Sequence, residues 1–134
     1  MIENPTLTKL HQMKLFGMAR AYSLLASTHQ SGRMTEDELM SHIVEAEWDE
    51  RENRKLQRLI AAAKFRYQAG IEEISFTPER NLDKGTFLRI AGGDYLAKKE
   101  NVIITGATGV GKSHIATALG NQACIKGYKT FYCN

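Results

Sequence analysis

Eight consecutive residues of this 134-residue chain, Gly106-Ala107-Thr108-Gly109-Val110-Gly111-Lys112-Ser113, carry a spacing suited to one task, the holding of phosphate groups. The pattern is G-x-x-x-x-G-K-[ST]. Glycine at 106, 109 and 111 is expected to take positive-φ conformations and to let successive backbone N–H groups approach phosphate oxygens with no Cβ in the way. If the loop opens a helix, the helix dipole favours the same anion. Lys112 then supplies a cation for the β- and γ-phosphates, and the Ser113 hydroxyl a ligand for the Mg²⁺ that accompanies them. Ala107, Thr108 and Val110 contribute backbone amides. A dinucleotide-binding fingerprint is excluded, because the glycines run G-x-x-G-x-G and no acid follows about 20 residues later. His114 reads as a packing or supporting residue in preference to a catalytic base.

Such a loop works only between a strand and a helix, and the flanking residues fit both. Val102-Ile103-Ile104-Thr105 is a β-branched run of the kind that makes a buried strand. Lys112 to Lys126 has a helical apolar period, with Gly127 at the position that ends a helix in the left-handed conformation. Tyr128 to Tyr132 predicts a second strand, so that 101–134 reads as one βαβ unit. Upstream, Asn4-Pro5 is an N-cap followed by proline at the first helical position, and the spacing of Leu7, Leu10, Leu15, Met18, Tyr22 and Leu25 predicts one helix over about 5–28. Thr35-Glu36-Asp37-Glu38 is a capping box opening a helix over about 36–68. Residues 70–85, with Gly70 and Pro78 and no sustained period, read as a connector. A short helix at Thr86–Ala91 stopped by Gly92-Gly93 and a turn at Asp94–Lys98 complete the series. The expected architecture is therefore α/β: a helical N-terminal domain over 1–69, the connector, and over 86–134 the start of a P-loop domain.

Charge is unevenly spread. All the carboxylates lie at or before Glu100, so the whole net charge of +3 belongs to Lys112, Lys126 and Lys129. The segment Asn101–Asn134 thus contains no carboxylate base and no acidic metal ligand, and no catalytic residue is assigned in it. Within 36–68, seven acids from Glu36 to Glu50 precede six bases from Arg51 to Arg66 that are interrupted by Glu52 alone. Two readings stand side by side. The helix dipole and the i,i+4 pairs Glu47–Arg51 and Glu50–Arg54 account for the segregation. Alternatively Arg51, Arg54, Lys55 and Arg58, on one helical face, form a stripe that could follow a nucleic-acid backbone. The longest apolar run, Leu59–Ala63, is far short of the roughly 20 residues of a membrane span, and Met1–Pro5 has no feature of a signal peptide. No membrane association and a cytoplasmic location are expected. Cys124 and Cys133 have neither the number nor the spacing of a disulfide framework or metal site and read as reduced, buried thiols. His11, His29 and His42 read as surface residues.

Taken together, several segments point to one family. They are Leu10-His11-Gln12-Met13-Lys14-Leu15-Phe16-Gly17-Met18; Glu47-Trp48-Asp49-Glu50-Arg51-Glu52-Asn53-Arg54 leading to Ala63-Lys64-Phe65; Asn101-Val102-Ile103-Ile104-Thr105-Gly106; and Gly111-Lys112-Ser113-His114-Ile115-Ala116 with Ala118-Leu119-Gly120 and Gly127-Tyr128. From about Leu7 onward the chain resembles the N-terminal half of the IstB-like transposition helper ATPases, relatives of the DnaC helicase loaders within the AAA+ group. The resemblance implies a small helical domain used for DNA or partner contact, joined to an ATPase domain that binds ATP with Mg²⁺, oligomerises on DNA and assists a transposase. Ala107-Thr108 stands where the family commonly has Pro-Pro, and Ile74-Ser75-Phe76 where it tends to have Phe-Asp-Phe. Walker B, sensor and arginine-finger residues have no counterpart in this sequence. The expectation is a truncated form that binds ATP and lacks hydrolysis machinery, in which residues 101–134 are poorly stable alone because in the family's sheet the first and second strands are not neighbours. A DnaC-like helicase loader fragment, or a helical DNA- or protein-binding module with a vestigial P-loop, are the alternatives.

Overall fold

The structure, a computed structural model, describes residues 4–133 with the exception of the Ser31 side chain, so Met1–Glu3 of the segment read for a leader lie outside it. Six α-helices stand among the described residues: α1 Pro5–Gln12, α2 Phe16–Thr28, α3 Glu36–Ala63, α4 Lys84–Ala91, α5 Asp94–Ala97 and α6 Lys112–Ile125, with 3-10 turns at Ser31–Arg33, Ile71–Glu73 and Pro78–Arg80. The chain divides into two compact units, 1–55 and 56–134.

In the first unit, Asn4 caps α1 by accepting from the amides of Thr6 and Leu7 at 3.0 and 3.3 Å, with Pro5 opening the helix. The single helix expected over 5–28 is in fact two. Lys14 takes φ of 60°, its amide donates to the His11 carbonyl at 3.0 Å, and the Leu15 amide reaches back to the Leu10 carbonyl at 2.9 Å. This pair of bonds is a Schellman motif, and its usual apolar partners at C3 and C″ fall here on Leu10 and Leu15. The same two leucines carry the helical period, so the apolar pattern continues through the break. A lysine in the left-handed position gives no glycine to announce it.

The second helix starts without a side-chain cap of its own. Its free N-terminal amides are taken by Glu47 of α3, whose Oε1 accepts from Gly17 and Met18 at 3.0 and 3.2 Å. The carboxylate can reach because α2 and α3 cross closely: a Cβ on Gly17 would lie 2.5 Å from the Ala46 carbonyl oxygen. Ala19, Ala21 and Leu25 complete the buried face of α2. At the start of α3, Thr35 Oγ1 accepts from the Glu38 amide at 3.1 Å, the Thr half of the expected capping box.

In the second unit, Ala69, Ile74, Phe87, Ala91, Ile115, Ala118 and Leu119 form a buried cluster, onto which Ile71, Phe76, Leu82, Ile90, Val102 and Ile104 pack. Asp83 caps α4, accepting from the Thr86 amide at 3.0 Å and its hydroxyl at 2.6 Å, bonds that with the nearby Arg89 charge hold the Asp83 carboxyl below its ordinary pKa. At the end of α6 the Gly127 amide donates to Cys124 and that of Tyr128 to Ala123, at 2.9 and 3.0 Å, the Schellman ending expected there.

The βαβ unit is not formed. No strand occurs among the described residues, which places the chain, as described, among helical structures and overturns the α/β class expected for it. Val102 and Ile104 face the core while Ile103 is 84% exposed, so the side chains alternate as a strand's would. Alternation records only which face is apolar. A strand also needs a neighbour for its backbone donors and acceptors, and 102–105 and 128–132 do not pair with each other. Besides the bond of Tyr128 to the end of α6, the second segment bonds through its backbone to another element from the Tyr132 amide to the Ala63 carbonyl, 2.7 Å. Of the two thiols, Cys124 is buried as expected, whereas Cys133 is exposed.

Candidate phosphate-binding site

The glycine loop leads into α6 as its spacing predicts. Gly109 and Gly111 lie in the left-handed region at φ of 84° and 90°, where a Cβ would be strained, and Gly111 is the N-cap residue of α6. Gly106 is different. Its φ is not positive, and its lack of a side chain serves packing instead, since a Cβ there would meet Val110 Cγ2 at 3.2 Å.

No side chain caps α6. Its first backbone bond runs from the Ile115 amide to the Gly111 carbonyl at 3.1 Å, which leaves the amides of Lys112, Ser113 and His114 without an intrahelical acceptor. Three orphan donors at the positive end of a 14-residue helix form an anion-seeking surface. Lys112 Nζ folds back to donate to the Gly106 carbonyl at 2.5 Å, closing the loop over its own mouth. The Ser113 side chain is exposed at the first turn of the helix. Mg²⁺ is commonly held by one or two protein ligands together with phosphate oxygens and water, and a single hydroxyl beside the loop fits that role.

An arginine that the sequence pattern does not single out lies against the same loop. Arg80 donates through Nη2 to the Val110 carbonyl and through Nη1 to the Ser75 carbonyl, both at 3.0 Å. It stands thirty residues before Val110, in the stretch read as a connector, where only the fold could bring it to the loop. His114 stacks on Tyr67, rings 6.0 Å apart and 10° from parallel, and so packs. Tyr67 also lines a cavity of about 610 Å³. Its wall sets Lys64 and Arg66 against Glu72 and Glu73, a mixed set with no preference for an anion, whereas the loop combines two cations with free amides and no acid.

The cationic stripe of α3 divides. Arg51 Nε bonds Glu47 Oε2 at 2.7 Å; Arg54 lies 3.7 Å from Glu47 and 3.9 Å from Glu50, with its guanidinium 5.7 Å over the Phe16 ring. Glu50 also holds Arg20 at 2.6 Å. Lys55 and Arg58 are exposed and, among the described residues, have no acidic partner.

Comparison with known proteins bears on these features. The family described as IstB-like ATP binding protein matches residues 8–134. An insertion-sequence protein of Sinorhizobium fredii described as ATP-binding is 42% identical over 132 residues, covering 98% of this chain and 54% of that protein. The ATP-binding protein described for insertion sequence IS1162 of Pseudomonas fluorescens is 37% identical, covering 98% of this chain and 58% of its own length. That described for IS5376 of Geobacillus stearothermophilus is 30% identical over 91% of this chain and 49% of its own. The chain spans about half the length of the curated relatives it matches.

Proposed function

The chain belongs to the IstB-like ATP-binding protein family, and from that premise we propose that it binds Mg-ATP at Gly106–Ser113 and takes part in transposition on DNA. One observation carries the nucleotide reading: the orphan amides of Lys112, Ser113 and His114 open α6 directly behind a glycine turn that carries a lysine. In that arrangement the amides hold phosphate oxygens along the helix axis. Lys112 exchanges a neutral acceptor, the Gly106 carbonyl, for the anionic β- and γ-phosphates. Ser113 is the protein ligand for Mg²⁺, which supplies charge neutralisation between the phosphates when bound. The segment after Glu100 carries no carboxylate, so binding, not hydrolysis, is the activity proposed for these residues. ATP bound here would serve as a positional signal to partners, which the family points to as a transposase and further copies of the chain assembled on DNA.

The exposed Lys55 and Arg58, without an acidic partner among the described residues, favour the DNA contact. Arg51 and Arg54 are already engaged with Glu47 and Glu50, so of the four residues of the stripe these two are the free cations for a phosphate backbone.

Calorimetric titration of Mg-ATP into the full chain and into Lys112→Ala tests the nucleotide reading. Loss of one charge-assisted bond, about 1.5–3 kcal/mol, lowers affinity roughly 10- to 100-fold. Equal binding by the two proteins would remove the loop from consideration.

A further inference from the structure

Resting on the reading of Gly106–Ser113 as a phosphate loop, we propose that Arg80 is a positioning residue for it, setting the direction in which the loop presents its Gly111 amide. The peptide unit joining Val110 to Gly111 is planar and trans, like the others of the described chain, which contains no cis peptide bond. In such a unit the C=O and the following N–H point in opposite directions. Holding the Val110 carbonyl against Arg80 Nη2 at 3.0 Å therefore aims the Gly111 N–H away from the guanidinium.

A loop of this kind ordinarily has freedom here. Gly111 sits at φ of 90° with glycine on the near side at 109 also left-handed, and glycine peptides rotate with little steric resistance. A flip of the 110–111 peptide would turn a carbonyl oxygen where the amide had been and oppose an anion. Arg80 blocks the flip. The second arm of its fork, on the Ser75 carbonyl at 3.0 Å, anchors the guanidinium to the segment that packs through Ile74 and Phe76 onto the core. A rigid two-armed donor matches two carbonyls at once, which a lysine's single ammonium does not.

The fit is close on both sides. A Cβ on Gly111 would stand 2.6 Å from Arg80 Nη2, so the loop residue and the arginine occupy adjoining space with none to spare. The position is also electrostatically costly by itself. A cation at a helix N-terminus opposes the dipole, and Arg80 has no acidic partner among the described residues. Hydrogen bonds to two carbonyls hold it there, and a bound polyphosphate would offset the unfavourable field.

The test uses the full chain with wild type, Arg80→Ala, Arg80→Lys and Lys112→Ala, titrated with Mg-ATP and separately with inorganic triphosphate. Arg80→Ala is expected to weaken both ligands by the same factor, about tenfold for the loss of a charge-assisted bond, because the effect is on the phosphate loop. Arg80→Lys should restore less than half of that loss on a logarithmic scale. In the ligand-free protein, the NMR order parameters of the Val110 and Gly111 amides should fall in Arg80→Ala, and those in the later turns of α6 should remain unchanged. Unaltered affinity in Arg80→Ala overturns the role of Arg80 and leaves the phosphate loop standing. Loss of amide order throughout 56–133 shows a general structural contact and overturns it equally, as does full rescue by lysine. Wild-type binding no stronger than that of Lys112→Ala overturns the nucleotide reading, and the role of Arg80 falls with it.

Discussion

Glu47 is the residue on which the first unit turns. Its carboxylate is buried, caps two amides of a helix to which it does not belong, and bonds Arg51. Burial by itself raises its pKa; the bonds from Arg51, Met18 and Gly17 and the charge of Arg51 together outweigh that and hold it below the ordinary glutamate value. A depressed carboxylate contributes stability that is present above its unfolded pKa, near 4.3, and is lost as pH falls through the folded one. Unfolding by urea, followed by the fluorescence of Trp48, the chain's single tryptophan, should therefore show stability falling from about pH 4.5 downward. Glu47→Gln should cost about 1.5–3 kcal/mol at neutral pH, the range for a bond to a charged group, and flatten that acid limb. An unchanged limb in the variant would assign acid sensitivity to other carboxylates. Sequence spacing identified the Glu47–Arg51 pair. It could not show the capping role, because the amides that Glu47 takes lie thirty and twenty-nine residues away. Arg80 was hidden for the same reason.

Among the elements, helix endings decide more than helix propensities. Three helices finish in the same pair of backbone bonds, with Lys14, Lys99 and Gly127 in the left-handed position, at φ of 60°, 58° and 92°. Only the glycine was legible. A lysine there carries a steric cost of roughly 1–2 kcal/mol, so Lys14→Gly should stabilise the first unit by about 1 kcal/mol after the added entropy of the unfolded chain is counted. Urea midpoints of the two proteins check this, and a destabilised variant would mean that Lys14 makes a compensating contact. Contact between α2 and α3 likewise depends on Gly17, whose neighbours are the Ala46 carbonyl and the Glu47 backbone. Nothing in the local pattern around Gly17 marked it as the crossing point.

Across the whole molecule, order is unequal. The amides of Ile103 and of Lys129–Phe131 have no backbone acceptor among the described residues, whereas α2 is held by its helical bonds and buried on one face through Gly17, Ala19, Ala21 and Leu25. Hydrogen exchange should be correspondingly fast at 102–105 and 129–131 and slow at Ala19–Leu25, since unbonded amides exchange without a structural opening. Equal protection in both regions would show the two segments paired. The glycine loop, its lysine and the helix behind it were determined by local sequence alone, because each is a property of consecutive residues: a conformation only glycine tolerates, a cap, a period of 3.6. Absence of any carboxylate after Glu100 was equally plain. Whether Val102–Thr105 becomes a strand, which carboxylate caps α2 and which arginine lies beside Val110 were decided by the tertiary structure. Each needs a partner distant in sequence, and hydrogen bonds between distant residues exist only once packing has brought donor and acceptor within reach.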